Sequence, residues 1–155
     1  MIRQLLYRSG QLFEFTADDM RRLLSQSRAC NARHGISGML LLQDGLFMQL
    51  LEGPAEAVDA LYARIASDPR HCEARLMVRA ERTAPLLPGW HMAWSEGLLE
   101  HEAPMFEGIA PDVQALTLLE GARSDRVAAA MRDFLHGAPV PIGGLGCARA
   151  MERVL

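Results

Sequence analysis

The segment at residues 44–53, DGLFMQLLEG, combines a turn signal with a strand that is apolar on both faces. The Asp44-Gly45 pair lies between two apolar runs, which indicates a β-hairpin because glycine tolerates the positive φ of a tight turn. Side chains of a strand alternate between its faces, so Gln49 interrupts an otherwise apolar face. A buried amide without hydrogen-bond partners costs about 1–3 kcal/mol, so polar groups are expected beside Gln49.

The hydrophobic pattern elsewhere predicts the element order βαββαββ, followed by helices. The first helix is expected to begin at a capping box formed by Thr16 and Asp19 and to end at Gly35. Right-handed connections between these elements favour an α+β fold, a ferredoxin-like sandwich with two helices on one face of a mixed sheet. The second helix is expected between Gly53-Pro54 and Asp68-Pro69. The predicted strands are residues 2–9, 37–43, 46–52, 73–82 and about 90–95.

The chain after Gly97 has a different character and predicts a C-terminal extension of two short helices. They are expected at residues 111–120 and 124–136, the second opened by Ser124 and closed by Gly137. Because the sheet has one face without its own helices, we expect the extension to cover that face. The predicted division is a domain at residues 1–96, the helical extension at 97–137 and a flexible Pro- and Gly-rich tail at 138–155.

The composition, charge and motifs of the chain argue against several classes of function. The chain has 155 residues, half of them hydrophobic, and a net charge of −3, which argues against nucleic acid as its main partner. No apolar run approaches the ~20 residues of a membrane span, and no signal peptide is evident. Three scattered cysteines predict a reducing, cytoplasmic location. The sequence shows no phosphate-binding loop, nucleophile elbow or metal-ligand spacing, so we predict no enzyme and no metal.

Polar residues from three elements are predicted to meet between the sheet and the helices. On the first helix, Ser27 and Asn31 continue the stripe of Met20, Leu23 and Leu24. For an isolated helix, a solvated end explains those two polar residues more simply. In the ferredoxin-like strand order, however, the first and third strands are antiparallel neighbours, which can place Tyr7 beside Gln49 and beneath Asn31. A buried tyrosine alone is usually a core residue, whereas the threefold convergence indicates a site.

Basic residues lie on the second helix and in the loop after it. Arg64 flanks its inward stripe, and Arg70 and His71 lie in the loop after it. Two guanidinium groups and an imidazole beside a pocket suit a phosphate or pyrophosphate, although surface charges alone account for them as well.

The last predicted strand, WHMAW, is expected to place Trp90, Met92 and Trp94 on one face. A plain core explains two tryptophans and a methionine. Since methionine tolerates repacking, this strand could also move at little cost.

These residues, in this order, resemble the BLUF family, the blue-light sensors that use FAD. The resemblance covers residues 1 to about 96. Tyr7 and Asn31 are 24 positions apart and Asn31 and Gln49 are 18 apart, in agreement with the family. The motifs that carry it are YRS at 7–9, CNARHGISG at 30–38, DGLFMQLLEG at 44–53, LYARIASDPRH at 61–71 and WHMAW at 90–94.

The resemblance implies a photoactive pair. Tyr7 would be the electron and proton donor to the excited flavin, and Gln49 would bridge Tyr7 and the N5/O4 edge of the ring. Trp90 and Met92 would change place or contacts when the protein passes between its dark and illuminated states. One departure is Cys30, where relatives often carry Asn or His; a thiol is a poorer hydrogen-bonding group for the O2 edge of the flavin.

The resemblance also implies the residues that bind the cofactor. FAD is expected, while FMN and riboflavin carry the same ring. Asn31 and Ser27 would hold the O4/N3 side, and Leu23 and Ile65 would sandwich the ring. The edge and the ribityl-phosphate path would be lined by Arg64, Arg70 and His71.

The leading hypothesis is a short photoreceptor whose changed hydrogen bonds pass through the last strand and the C-terminal helices to a separate regulatory protein. We also expect a homo-oligomer, a dimer or larger, because the C-terminal helices are apolar. Two alternatives remain at this point: a flavin-dependent oxidoreductase that uses the same pocket, and a ferredoxin-like interaction module without a cofactor.

Overall fold

The computed structural model describes residues 1–11, 15–69, 71–96, 106 and 108–137. These ranges contain five strands and four helices. The strands are β1 (Ile2–Gln11), β2 (Ser37–Gln43), β3 (Leu46–Gly53), β4 (His71–Arg82) and β5 (Ala93–Glu96). The helices are α1 (Ala17–His34), α2 (Ala55–Ala66), α3 (Val113–Gly121) and α4 (Arg126–Leu135). In this part of the chain, no helix is both long and apolar enough to cross a membrane.

The strands form one mixed sheet in the order β4-β1-β3-β2-β5. Every pairing is antiparallel except that of β2 with β5. The predicted α+β, ferredoxin-like fold is confirmed, including the central position of the third strand. Because β1 and β3 are neighbours, their register places Tyr7 directly opposite Gln49.

Local signals in the sequence account for the hairpin and for α1. Asp44 and Gly45 have φ values of 51° and 73°, so both central turn residues have the positive φ that a two-residue hairpin requires. Thr16 accepts a hydrogen bond from Asp19 N while the Asp19 carboxylate accepts one from Thr16 N, and this capping box begins α1. Gly35 ends α1 in a left-handed conformation.

Each face of the sheet carries its own hydrophobic cluster. The cluster beneath α1 and α2 includes Tyr7, Phe47 and Met92 and is called the α1/α2 layer. The cluster on the opposite face, the α3/α4 layer, joins residues such as Met48 to buried residues of the two C-terminal helices. The C-terminal helices therefore cover the face opposite α1 and α2, as expected from the sequence.

A buried carboxylate ties the central strand to the connection between β4 and β5. Glu52 has no exposed surface, and its side chain accepts hydrogen bonds from Gln4 Nε2 at 2.7 Å, Leu86 N at 2.8 Å and Leu87 N at 3.1 Å. Three donors stabilise a charge that would otherwise be costly to bury. The connection that leads to β5 is thereby held against the middle of the sheet.

Two details of the predicted elements are wrong. Asp125, not Ser124, caps α4, and its carboxylate accepts hydrogen bonds from Val127 N and Ala128 N. The last strand begins at Ala93, so the alternation predicted for residues 90–95 does not extend back to Trp90. As a result Trp90 packs against the α3/α4 layer, whereas Met92 and Trp94 belong to the α1/α2 layer. The predicted tail at 138–155 lies outside the described residues.

Candidate functional site

A chain of hydrogen bonds runs through Gln49 in the α1/α2 layer. The Tyr7 hydroxyl donates to Gln49 Oε1, and Gln49 Nε2 donates to Met92 Sδ at 3.2 Å. Tyr7, Gln49 and Met92 expose only 1%, 7% and 2% of their surface. The buried amide therefore has the polar partners that its position demanded. It accepts on the β1 side and donates on the β5 side.

Asn31 fastens the last turns of α1 to the backbone that leads into β5. Its side chain is buried, and Nδ2 donates to the His91 carbonyl oxygen at 2.6 Å. His91 Nδ1 lies 2.8 Å from the Ile36 carbonyl oxygen, so this short segment is also attached to the start of β2. Asn31 thus binds the residue that immediately precedes Met92 in the chain.

A cavity of about 240 Å³ lies between the sheet and the two helices α1 and α2. Most residues proposed from the sequence line it: Leu23, Ser27, Asn31, Gln49, Arg64, Ile65 and Met92. Tyr7 is one hydrogen bond away from the cavity wall through Gln49. Trp90 lies on the other side of the sheet. Arg70 and the side chain of His71 lie outside what the structure describes.

Further lining residues were not identified from the sequence. They are Phe15, Gln26, Leu40, Phe47, Leu61 and Asp68. Helical spacing could have found Leu61, one turn before Ile65, and strand pairing could have found Leu40, which is opposite Gln49 in the β2–β3 register. Cys30 opens onto the cavity, and its Sγ is 3.7 Å from His34 Nδ1.

Burial raises the pKa of the Tyr7 hydroxyl well above its ordinary value, and the neighbouring Tyr62 adds to this effect. The two tyrosine rings are tilted against each other with centroids 5.3 Å apart. Ionised Tyr7 would be an unsolvated anion, so the hydroxyl keeps its proton at neutral pH. Tyr7 is therefore held as a donor to Gln49.

This raised pKa predicts a loss of stability in alkali that depends on Tyr7. The unfolded chain releases the tyrosine proton above pH ~10, whereas the folded chain retains it. The stabilisation is complete below pH ~10 and is lost as the pH rises towards the folded-state pKa. Relative to the Tyr7→Phe variant, the free energy of unfolding should fall by about 1.4 kcal/mol per pH unit there. Urea unfolding between pH 8 and pH 11 measures this difference.

Tyr62→Phe is the matched control, because the chain has two tyrosines and Tyr62 is much less buried. This variant should keep most of the wild-type alkaline loss. Parallel curves for wild type and Tyr7→Phe would contradict the assignment.

Residues 2–93 match the family described as "BLUF: Sensors of blue-light using FAD". This chain belongs to the BLUF family. The resemblance drawn from the motifs is confirmed, and the matched stretch includes the Tyr7–Gln49–Met92 chain. A BLUF domain is a flavin-binding blue-light sensor, so the function class is established together with the family.

Two curated BLUF relatives are larger proteins. The photoactivated adenylate cyclase subunit beta of Euglena gracilis is 33% identical over 104 residues, which cover 66% of this chain and 12% of that protein. The blue light- and temperature-regulated antirepressor BluF of Escherichia coli (strain K12) is 35% identical over 71 residues, which cover 46% of this chain and 18% of that protein. The chain thus spans less than a fifth of the length of these two relatives.

Solved BLUF structures share the fold. The dark-state structure of BlrB, a BLUF protein, aligns with a TM-score of 0.59 at 35% identity, over 61% of this chain and 72% of that one. Klebsiella pneumoniae BlrP1 with FMN and cyclic diGMP aligns with a TM-score of 0.70 at 26% identity, over 87% of this chain and 34% of that one. The second alignment extends beyond the stretch that matches the family.

The BLUF cavity of this chain fits a flavin ring. Leu23 and Ile65 supply apolar walls from the two helices, and the amides of Asn31 and Gln49 supply donors and acceptors beside them. The cavity is smaller than the roughly 300–1,000 Å³ that encloses a whole drug-sized ligand. This size suits a flavin whose ring lies inside and whose ribityl-phosphate part is directed outwards. Arg64, an exposed residue of α2 at the cavity, is a cation available to that phosphate part.

Proposed function

We propose that this protein binds FAD in the cavity between α1 and α2 and that blue light reverses the hydrogen-bond polarity of Gln49. The observation that carries the proposal is the pair of opposed bonds at one buried amide, accepted from Tyr7 and donated to Met92. Glutamine is suited to this task because its amide carries a donor group and an acceptor group on one planar unit.

The remaining cavity residues have separate roles in this proposal. Leu23 and Ile65 pack on the two faces of the ring, while Ser27 and Asn31 bond to its polar edge. Arg64, Arg70 and His71 bind the ribityl-phosphate part, which favours FAD over riboflavin because riboflavin carries no phosphate.

When bound, the flavin absorbs blue light and becomes an acceptor for an electron from a nearby donor. Tyr7 is the donor in this proposal, and its proton leaves through the hydrogen bond to Gln49. Reversal of the Gln49 amide, by rotation or by tautomerisation, exchanges its donor and acceptor atoms. Met92 Sδ then faces an acceptor and loses the N–H that it contacts in this structure.

The reversal of the Gln49 hydrogen bonds changes the free energy only slightly. A hydrogen bond contributes about 1 kcal/mol net, so a response requires an output element whose two arrangements are nearly equal in free energy. Met92 meets this requirement, because an unbranched thioether repacks at little cost. Trp90 is the second proposed switch residue. It lies on the opposite side of the sheet, so it can replace Met92 only if the backbone at residues 90–92 moves.

We further propose that the protein is not itself an enzyme and acts in the cytoplasm on a separate regulatory protein. The relatives named above are an adenylate cyclase subunit and an antirepressor, in which a BLUF region accompanies another activity. A homo-oligomer is proposed from the exposed apolar side chains of α3, Val113 and Leu118, which are 65% and 44% exposed.

The test is an absorption spectrum of the purified protein before and after blue illumination. We expect a flavin spectrum that shifts reversibly to the red, and mass spectrometry of the released cofactor should identify FAD. Colourless protein, or a flavin spectrum unchanged by light, would refute the proposal. Rapid reduction of the flavin by NADH or NADPH in the dark would instead support the oxidoreductase alternative.

A further inference from the structure

Asp112 precedes α3, but its carboxylate does not cap that helix. An aspartate at this position ordinarily accepts hydrogen bonds from the first N–H groups of its own helix, as Asp125 does for α4. Asp112 Oδ2 instead accepts from Trp94 N at 2.8 Å, and Asp112 N donates to the Trp94 carbonyl oxygen at 2.9 Å. The start of α3 is therefore attached to the backbone of β5.

Arg28 connects the same carboxylate to the switch segment. Its Nη2 donates to Asp112 Oδ2 at 3.0 Å, and its Nε donates to the Met92 carbonyl oxygen at 2.9 Å. Arg28 follows Ser27 in the chain and lies one helical turn before Asn31, which holds the neighbouring His91 carbonyl. Two side chains of α1 thus bind two consecutive carbonyl groups just before β5.

These contacts form a continuous path from the cavity to the α3/α4 layer. The Met92 sulfur accepts a hydrogen bond from the Gln49 amide, and the Met92 carbonyl oxygen accepts one from Arg28. Arg28 and the Trp94 N–H group both donate to the Asp112 carboxylate. We infer that Arg28 and Asp112 are positioning residues that join the state of Met92 to the first turn of α3. This inference rests on the proposed function, because it assigns the exit path of the same light-driven change.

The strength of the link suits this role. The side chains of Arg28 and Asp112 are 46% and 24% exposed, so their ion pair is weak and can break and re-form. A displacement of the Met92 backbone removes the acceptor of Arg28 Nε and changes the placement of the guanidinium group on Asp112. Because Asp112 also carries the backbone bonds to Trp94, its movement alters the first turn of α3.

The experiment compares Arg28→Gln and Asp112→Asn with wild type as flavin-loaded full chains. Hydrogen exchange of the α3 amides is measured in the dark and under blue light, beside the absorption spectrum. Wild type should show a light-dependent difference in exchange at Val113–Gly121. Both variants should keep the red shift. Their light-dependent difference in α3 exchange should be about threefold or more smaller than that of wild type, which is the scale of an exposed ion pair. Asp112→Asn keeps an acceptor oxygen for Trp94 N, so it tests the link to Arg28 with the β5 contact retained.

Arg79→Gln is the matched control, because it removes a comparably exposed ion pair, with Asp59, from the far edge of the sheet. It should show the wild-type difference at α3. The inference is overturned if Arg28→Gln and Asp112→Asn keep that difference, or if wild-type α3 is unaffected by light while the spectrum shifts. A wild-type spectrum without a shift is a separate result, which refutes the proposed function.

Discussion

Replacing Gln49 by leucine is expected to abolish the blue-light red shift while flavin remains bound. Leucine has a similar size but no polar atom, so Tyr7 loses its acceptor and Met92 loses its donor at once. The cavity keeps its apolar walls and Asn31, which should retain the ring. Because the Tyr7 hydroxyl is then buried without a partner, we also expect a loss of about 1–3 kcal/mol in the free energy of unfolding.

Difference spectra before and after illumination measure the first effect, and urea unfolding measures the second. Gln43→Leu is the matched control, since Gln43 is a glutamine of the neighbouring strand β2 that contacts Asp44 rather than the cavity. It should retain the full shift. A full shift in Gln49→Leu would show that the amide is not the group that responds to light.

Replacing Glu52 by leucine is expected to lower the free energy of unfolding by about 3 kcal/mol or more, because three N–H donors lose their acceptor and each buried unsatisfied donor costs about 1–3 kcal/mol. The substitution removes the carboxylate that accepts hydrogen bonds from the N–H groups of Gln4, Leu86 and Leu87. Amide hydrogen exchange should rise most at residues 86–90, because their connection to the central strand is removed. Urea unfolding and exchange on the same preparation test both statements.

Glu56→Leu provides the control, because Glu56 is an exposed residue of α2. A surface substitution of this kind should change the free energy of unfolding by no more than about 0.5 kcal/mol. Equal effects of the two substitutions would show that the hydrogen bonds to Glu52 contribute little.

Local rules predicted the elements around the site. The hairpin depends on backbone conformations that Asp44 and Gly45 adopt at little cost, and α1 depends on a capping box and a terminal glycine, all within a few residues of one another. Strand order then followed from general topology, which was enough to place Tyr7 beside Gln49.

Prediction from the sequence failed where a tertiary contact determines the conformation. Alternation of side chains predicted Trp90 on the same face as Met92, but the chain turns before β5. Trp90 N donates to the Leu87 carbonyl oxygen, and the Trp90 carbonyl oxygen accepts from Gly38 N. Arg28 and Asp112 had no recognisable pattern, because they are 84 positions apart and meet only after the sheet is assembled. Such long-range pairs cannot be read from periodicity.

The two-sided sheet has a consequence for evolution and engineering. Consecutive residues of β3, such as Met48 and Gln49, belong to opposite layers, so substitutions that refit one layer to new neighbours need not disturb the other. Lineages could exchange the helices on one side for different effectors and inherit the light chemistry intact. A designer could attach a new output element to the same sheet by changing only Leu46, Met48 and Leu50, the positions of the central strand that belong to the α3/α4 layer.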